Sequence, residues 1–489
     1  MPRPNILLTF TDQQRADTVG ADGNPVIRTP ALDRIAEEGV LFESHYTSDP
    51  VCVPARCGLL TGQYPLNTGC FENGDPMPED RPSFMQLLTD AGYRTHGVGK
   101  MHFTPDTWAL RGFQTREHQG EIRGQVEGDD YLEWLHEKGF GHVYDPMGQR
   151  GEMYYIPQPA QMPAEYHASH WVGDRAVEFL RQDRDEPFFL WASFIHPHPP
   201  FSPPTPWNKL YRAPLMPLPK RPHQYESLWT YMNRHQNRYK YRDNGIDNNL
   251  LRCQKAYYYA CVSFIDYQIG RMLEALEETG QLDNTLIVHT SDHGEFLGDY
   301  NCFGKRSMLD SAARVPLLAR FPERLPAGER CDTPTSLVDL MPTFLATADV
   351  EAPADQRNGR DLAELVRDGG DRTVYAQHDS AGRATHMILN RRWKYYYSVP
   401  DRREFLFDRR EDPQETRNRA NSPLCRSVAA EMREELFEFY RTNGYTEPLD
   451  GDRWRDYPQP EVPADPDAGL LIQDAGWARP YQQIPGYSD

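Results

Sequence analysis

Cysteine is scarce in this chain, at 8 of 489 residues. The eight stand at positions 52, 57, 70, 253, 261, 302, 331 and 425, with no CxxC pair. Disulfide scaffolds are denser in cysteine and zinc ribbons use paired cysteines, so neither is implied. Basic charge is also short: Lys and Arg number 53 against 72 Asp and Glu, a net charge of −19. That balance opposes nucleic-acid binding and docking on an anionic membrane. Long hydrophobic runs are missing. The longest, residues 187–195, falls far short of the roughly 18 residues of a membrane span, and mean hydropathy is −0.75. The opening Met-Pro-Arg-Pro-Asn runs straight into Ile6-Leu7-Leu8, with no signal-peptide core or small-residue cleavage site. A cytoplasmic protein is therefore expected. Neither GxxxxGK[ST] nor a GxGxxG after a strand occurs, which removes P-loop and dinucleotide-binding readings.

What is present is a folded chain of considerable size. With 27 Tyr, 21 Phe and 9 Trp it is too aromatic to stay disordered. Compact apolar runs at Asn5–Phe10, Tyr93–Val98, Phe188–Ile195 and Leu286–Thr290 predict strands, and the third is apolar throughout, as a strand buried on both faces should be. Between them lie helical patterns. Thr29-Pro30 opens one, with Leu32, Ile35, Ala36 and Val40 at helical spacing. Another is expected over Arg252–Glu278. This alternation predicts an α/β fold: a mostly parallel central sheet with helices on both faces. A break near Asp368-Gly369-Gly370-Asp371 separates residues 1–371 from a small C-terminal α+β subdomain, 372–445. That subdomain has strands at Thr373–Ala376, His386–Asn390 and Trp393–Ser398, then a helix around Val428–Phe439. The Pro-rich tail, 446–489, is expected to wrap its own domain or a neighbouring subunit, which makes a homo-oligomer the expected state. Residues 104–165 and 200–248 read as long, functional loops.

In open parallel sheets ligands bind beyond the carboxyl ends of the strands. Four predicted strand ends here deliver chemistry: Asp12-Gln13, Gly99-Lys100-Met101-His102, His196-Pro197-His198 and Ser291-Asp292-His293-Gly294. The oxygen-rich subset suits a hard divalent cation. The basic subset, Lys100, His102, His198 and Lys305, suits a tetrahedral oxyanion. Together they point to hydrolysis of a sulfate or phosphate ester. The nucleophile is expected in Cys52-Val53-Pro54-Ala55-Arg56-Cys57-Gly58-Leu59-Leu60-Thr61-Gly62, where a helix starting just after Cys52 would favour an anion or thiolate. A cysteine-phosphatase loop would need Arg at position 58, which is Gly58. Of the remaining candidates, His196 is set behind His198, and Tyr257-Tyr258-Tyr259 reads as helix packing. Glu72, Asn73, Trp108 and the run Arg234–Arg242 are possible cleft residues that no motif supports.

The pattern Cys52-x-Pro54-x-Arg56-x-x-Leu59-x-Thr61-Gly62 resembles the signature of the type I, formylglycine-dependent sulfatases of the alkaline phosphatase-like superfamily. So do Thr29-Pro30-x-Leu32-Asp33, Gly99-Lys100-x-His102, Pro197-His198-x-Pro200, Ser291-Asp292-His293-Gly294, Gly304-Lys305, Arg314-Val315-Pro316 and Asp339-Leu340-x-Pro342-Thr343. Phe405-Leu406-Phe407-Asp408 and Asp412-Pro413-x-Glu415 extend the likeness to about residue 420. The Lys100–Phe103 and His196–His198 blocks look most like the choline and polysaccharide sulfatase branches.

The resemblance implies oxidation of Cys52 to formylglycine by a maturation enzyme. One hydroxyl of its hydrate would attack sulfur, and the other would lose a proton to His102 as sulfate leaves. His198 and Lys305 would hold the sulfate and help protonate the leaving alcohol. Lys100 and Arg56 would fix the diol and its charge. Asp12, Gln13, Asp292 and His293, with the modified Cys52, would bind one divalent cation, Ca2+ by preference, with Mn2+ or Mg2+ as alternatives. Two positions depart from the common pattern: Gln13 replaces a second Asp and removes one charge, and Ala55 stands where Ser is usual. A phosphonate monoester or phosphodiester hydrolase of the same superfamily, and a non-catalytic sulfated-glycan binder, remain as alternatives. The acidic exterior favours a small-molecule or lightly sulfated carbohydrate ester over a densely sulfated polymer.

Overall fold

A computed structural model describes residues 3–121, 126–150, 154–240, 247–356, 358–465 and 468–471. Eight strands form the central sheet. In chain order they are β1 (Asn5–Asp12), β2 (Val40–Phe42), β3 (Arg94–Gly99), β4 (Thr115–His118), β5 (Phe188–Pro197), β6 (Thr285–Ser291), β7 (Leu317–Arg320) and β8 (Glu329–Cys331). Their spatial order is β4-β3-β5-β1-β6-β7-β2-β8. The five strands from β4 to β6 run parallel, while β7 pairs antiparallel with both β6 and β2. The mostly parallel sheet expected from the apolar runs is therefore present, with an antiparallel turn at one side.

Strand β1 lies at the centre, and its side chains alternate between two cores. Ile6, Leu8 and Phe10 pack with Leu59 of α2 (Cys52–Thr61), Phe84, Trp191 and Phe344. Leu7 packs on the opposite face with helix α1 (Pro30–Glu37), α3 (Ala168–Leu180) and α5 (Asn248–Glu278), through Leu32, Val172 and Ile269. Helix α5 starts earlier than its apolar periodicity suggests. Asp247 caps it, accepting hydrogen bonds from the N–H groups of Asn249 and Leu250. Inside the second long loop lies α4 (Tyr231–Lys240), too polar to show in the sequence.

Strands β9 (Val374–His378), β10 (Thr385–Leu389), β11 (Trp393–Ser398) and β12 (Arg403–Asp408) make an antiparallel meander. The sequence pattern had indicated the first three strands. The last also pairs, because Phe405 and Phe407 complete the layer over Tyr396. Helix α6 (Arg426–Thr442) covers the other face through Met432, Leu436 and Tyr440. Beyond it, Trp454 stacks on Tyr397 and on His386. The chain then reaches α4, where His235 and Arg238 hydrogen-bond to the carbonyl of Gly469. The rest of the tail, 472–489, lies outside the described residues. No helix among the described residues is long and apolar enough to cross a membrane.

Candidate active site

The parallel strands β1, β3, β5 and β6 end on one edge of the sheet, and the reactive side chains gather there. Cys52 is the first residue of α2, following Val51 in extended conformation (φ −150°), and Gly62 closes the helix in the left-handed region. The Cys52 Sγ lies 2.9 Å from Lys305 Nζ, 3.2 Å from His293 Nε2 and 3.9 Å from Asp12 Oδ1. Burial and Asp12 push the thiol up, but Lys305, His293 and Lys100 outweigh them and hold it well below its ordinary value.

Asp12 and Asp292 are buried, and Arg56 spans them. Its Nη2 lies 3.2 Å from Asp12 Oδ2 and its Nε 3.0 Å from Asp292 Oδ2. Nη1 donates to the Lys100 carbonyl at 2.8 Å, and the guanidinium carbon sits 4.9 Å over the Phe10 ring. Lys100 Nζ adds a second cation on Asp12 at 2.6 Å. The two carboxyls consequently diverge. Burial would raise Asp12, yet Lys100, His198, Arg56 and Lys305 hold it far below the ordinary range. Burial and the neighbouring Asp12 raise Asp292.

His293 donates Nδ1–H to the Gly294 carbonyl at 3.0 Å. Its Nε2 then lies 3.2 Å from both Cys52 Sγ and Lys305 Nζ, with Asp292 Oδ1 at 3.6 Å and Asp12 Oδ1 at 3.8 Å. An imidazole nitrogen close to two carboxylates, with its other nitrogen held by a carbonyl, fits a shared cation. Ligand atoms of Asp12, Cys52, Asp292 and His293 all lie within 4.8 Å of one another. Gln13 Oε1 accepts from Lys305 Nζ at 3.1 Å, so it borders the same cluster. This oxygen-rich donor set suits a hard divalent ion.

Local backbone places these groups under constraint. Gln13 adopts φ 69° and His102 φ 55°, both in the left-handed region that non-glycine residues seldom occupy. Gln13 is held there by its N–H on Asp292 Oδ1 at 3.0 Å and by the Tyr258 hydroxyl, which donates to its carbonyl at 2.7 Å. Tyr258, expected to be helix packing, therefore also positions the site. Gly99 (φ 92°) has to be glycine, since a Cβ there would stand 1.9 Å from the Ser193 carbonyl oxygen. That close approach lets Lys100 turn inward off β3.

The anion-facing side holds Lys100, His102 and His198. The His198 Nδ1–H donates to the Pro199 carbonyl at 2.7 Å, and burial pushes its pKa down to about 3. Its Nε2 lies 3.4 Å from Glu121 Oε1, and His102 Nδ1 lies 3.8 Å from Glu121 Oε2. Glu121 also pairs with Lys100 and, at 3.4 Å, with Arg150. Glu121 and Arg150 come from the first long loop, and no sequence pattern marked them. Glu295 was missed as well. It pairs with the Gln13 carboxamide and accepts the Gly304 N–H at 2.7 Å, which fixes the turn before Lys305.

Other candidates fall elsewhere. His196 bonds to Ser202 Oγ at 3.2 Å and packs on His167, away from the cluster. Asn73 Oδ1 accepts the Val53 N–H at 3.0 Å, just behind Cys52. Glu72 forms a polar flank with Arg306, His378 and Asp49. Trp108 packs against His118 at the end of β4, its ring tilted 57° to the imidazole at 4.1 Å between centroids. In the run Arg234–Arg242, Arg234 pairs with Asp401, Gln236 bonds to the Lys305 carbonyl at 2.7 Å, and residues 241 and 242 lie outside the described residues.

A buried cysteine at a helix N-terminus, with a carboxylate and imidazole cluster able to hold a metal ion on one side and lysine and histidine side chains on the other, all at the carboxyl edge of this sheet, is the arrangement expected of an alkaline phosphatase-like ester hydrolase. The comparisons specify it further. The sulfatase family model matches residues 4–350, and a model of the C-terminal part of N-sulphoglucosamine sulphohydrolase matches 298–442. An arylsulfatase of Clostridium perfringens is 33% identical, with 91% of this chain and 96% of that protein covered. An N-acetylglucosamine-6-O-sulfatase of Bacteroides thetaiotaomicron is 28% identical over 75% of this chain and 72% of its own length. A phosphonate monoester hydrolase from Silicibacter pomeroyi superposes with a TM-score of 0.79 at 24% identity, covering 94% of this chain and all of the other, a likeness that speaks to the fold. The chain belongs to the sulfatase family, and it is a sulfuric ester hydrolase.

Proposed function

We propose that the enzyme cleaves a sulfate monoester to alcohol and sulfate, with formylglycine derived from Cys52 as nucleophile and one divalent cation, Ca2+ by preference, beside it. The observation that carries this reading is Cys52 at the start of α2, within 3.2 Å of both Lys305 Nζ and His293 Nε2. Asp12, Gln13, Asp292 and His293 would hold the cation, whose charge would stabilise the anionic nucleophile and the ester oxygens.

The chain's own residues supply the rest. Lys100 and Lys305 offer fixed positive charge to the ester oxygens. The bond from His198 Nδ1–H to the Pro199 carbonyl leaves Nε2 as the only nitrogen able to face substrate. That nitrogen donates a proton only as imidazolium. An anionic ester beside it favours the charged ring, so substrate entry arms the acid that protonates the leaving alcohol. His102 lies across Glu121 from His198 and would accept the nucleophile's second proton. Arg56 keeps Asp12 and Asp292 in register.

The proposed substrate is a small or lightly sulfated carbohydrate or aryl ester. A maturation enzyme, a cytoplasmic location and a homo-oligomer belong to the same reading, as do a catalytic part over 1–371, a C-terminal subdomain over 372–445 and a tail from 446. Intact-mass analysis after co-expression with a formylglycine-generating enzyme, followed by 4-nitrophenyl sulfate turnover, tests it. Conversion of Cys52 with no sulfate release would sink the proposal. A large preference for a phenylphosphonate monoester would favour the phosphonate reading, which Gln13 beside Asp12 supports.

A further inference from the structure

Glu121 is an anomaly in a pocket meant for an anion. Its side chain is 7% exposed, and both oxygens face cations or imidazoles: Lys100, His102, His198 and Arg150. It is also anchored. Arg150 Nη2 donates to the Glu121 backbone carbonyl at 3.0 Å while the same guanidinium reaches the carboxylate. Burial would raise this carboxyl, but Lys100, His198, Arg150 and His102 hold it well below the ordinary carboxylate value, so it carries a full negative charge at neutral pH.

We propose that Glu121 is a charge filter, a specificity-determining residue that admits monoanionic esters and repels dianionic ones. The inference rests on the reading that the ester oxyanion binds among Lys100, His198 and Lys305. Sulfate monoesters, phosphonate monoesters and phosphodiesters carry one negative charge, and phosphate monoesters carry two at alkaline pH. A fixed carboxylate beside the oxyanion weakens each added charge, and in a partly buried site one like-charge repulsion across roughly 6 Å amounts to about 100-fold in binding. The product is subject to the same rule. Inorganic sulfate is a dianion where the ester was a monoanion, so the carboxylate that tolerates substrate helps expel product.

The test uses full-length enzyme with Cys52 converted, and keeps the alcohol half constant. Values of kcat/KM for 4-nitrophenyl sulfate and 4-nitrophenyl phosphate at pH 8 are compared in wild type, Glu121→Gln and Glu121→Asp. The Gln variant is expected to raise the phosphate-to-sulfate ratio by about 100-fold, while the Asp variant, which keeps the charge, stays near wild type. Calorimetric affinity for inorganic sulfate, which needs no turnover, is expected to tighten by at least that factor in Glu121→Gln alone, since both of its charges are relieved. An unchanged ratio together with unchanged sulfate affinity overturns the filter. Absence of 4-nitrophenyl sulfate turnover in converted wild type would instead overturn the functional reading beneath it.

Discussion

The site has two halves of different origin. One is built at strand ends: Asp12 on β1, Lys100 after β3, His198 after β5, and Asp292-His293 after β6. The other comes from loops and the C-terminal sheet: Glu121 and Arg150 on one flank, Glu72, Arg306 and His378 on the other. The strand-end groups inherit their geometry from the hydrogen-bond ladder of the sheet, and their mutual distances follow from register. The loop groups hold their places through ion pairs, Glu121 with Arg150 and with the strand-end Lys100 and His198, and Glu72 with Arg306 and His378. Chemistry common to a family fits the first kind of support, and selectivity between substrates fits the second.

Four experiments can break or sharpen that contrast. Removing the nucleophile should be most severe: Cys52→Ala is expected to lower kcat/KM for an aryl sulfate by about 10⁴-fold or more. Activity within tenfold of wild type would place the chemistry elsewhere. Next comes the cation cluster. Ca2+ is expected to raise the Tm of wild type, and Asp292→Asn is expected to abolish that rise and to cost about 10³-fold in activity. A retained calcium shift would remove Asp292 from the ligand set.

The loop flank should yield a stability effect. Burial would raise Glu72, but Arg306 and His378 bring it from 4.5 down to about 2. A depressed carboxyl stabilises the fold above its unfolded pKa, and that stability is lost as pH falls through the folded one. The stability difference between wild type and Glu72→Gln should therefore be about 3 kcal/mol above pH 4.5 and vanish near pH 2, read by denaturant unfolding. A pH-independent difference would mean the ion pair contributes nothing through charge. The mildest change is Gln13→Asp, which restores a carboxylate and is expected to tighten Ca2+ by about tenfold in a chelator titration. Weakened calcium binding would show that the carboxamide is matched to its neighbour Glu295.

Legibility in the sequence divides along the same line. Strand ends stand out because a buried parallel strand is an apolar run, and the residue that stops the run is the one presented to ligand. Asp12, Lys100, His198 and Asp292 were visible on that ground, and the structure brings them to one edge. Glu121 had no such signal, since nothing periodic surrounds it and its ion-pair partners lie 19 to 77 residues away in the chain. Helix α4 was hidden for another reason. Its buried face is made of Asn233, Gln236 and Lys240 as much as of Tyr231 and Met232, so hydropathy shows no stripe. His102 and Gln13 were visible as residue types, but their left-handed backbone was not, because tertiary contacts impose it.

The contact between the tail and α4 ties distant parts of the chain together. His235 holds the Gly469 carbonyl at 2.9 Å, and the next residue, Gln236, holds the carbonyl of Lys305 at 2.7 Å. The lysine beside Cys52 is thus linked, through one turn of helix, to a stretch more than 160 positions further along the chain. Loss of that stretch removes one of the contacts that hold α4 beside the turn carrying Lys305.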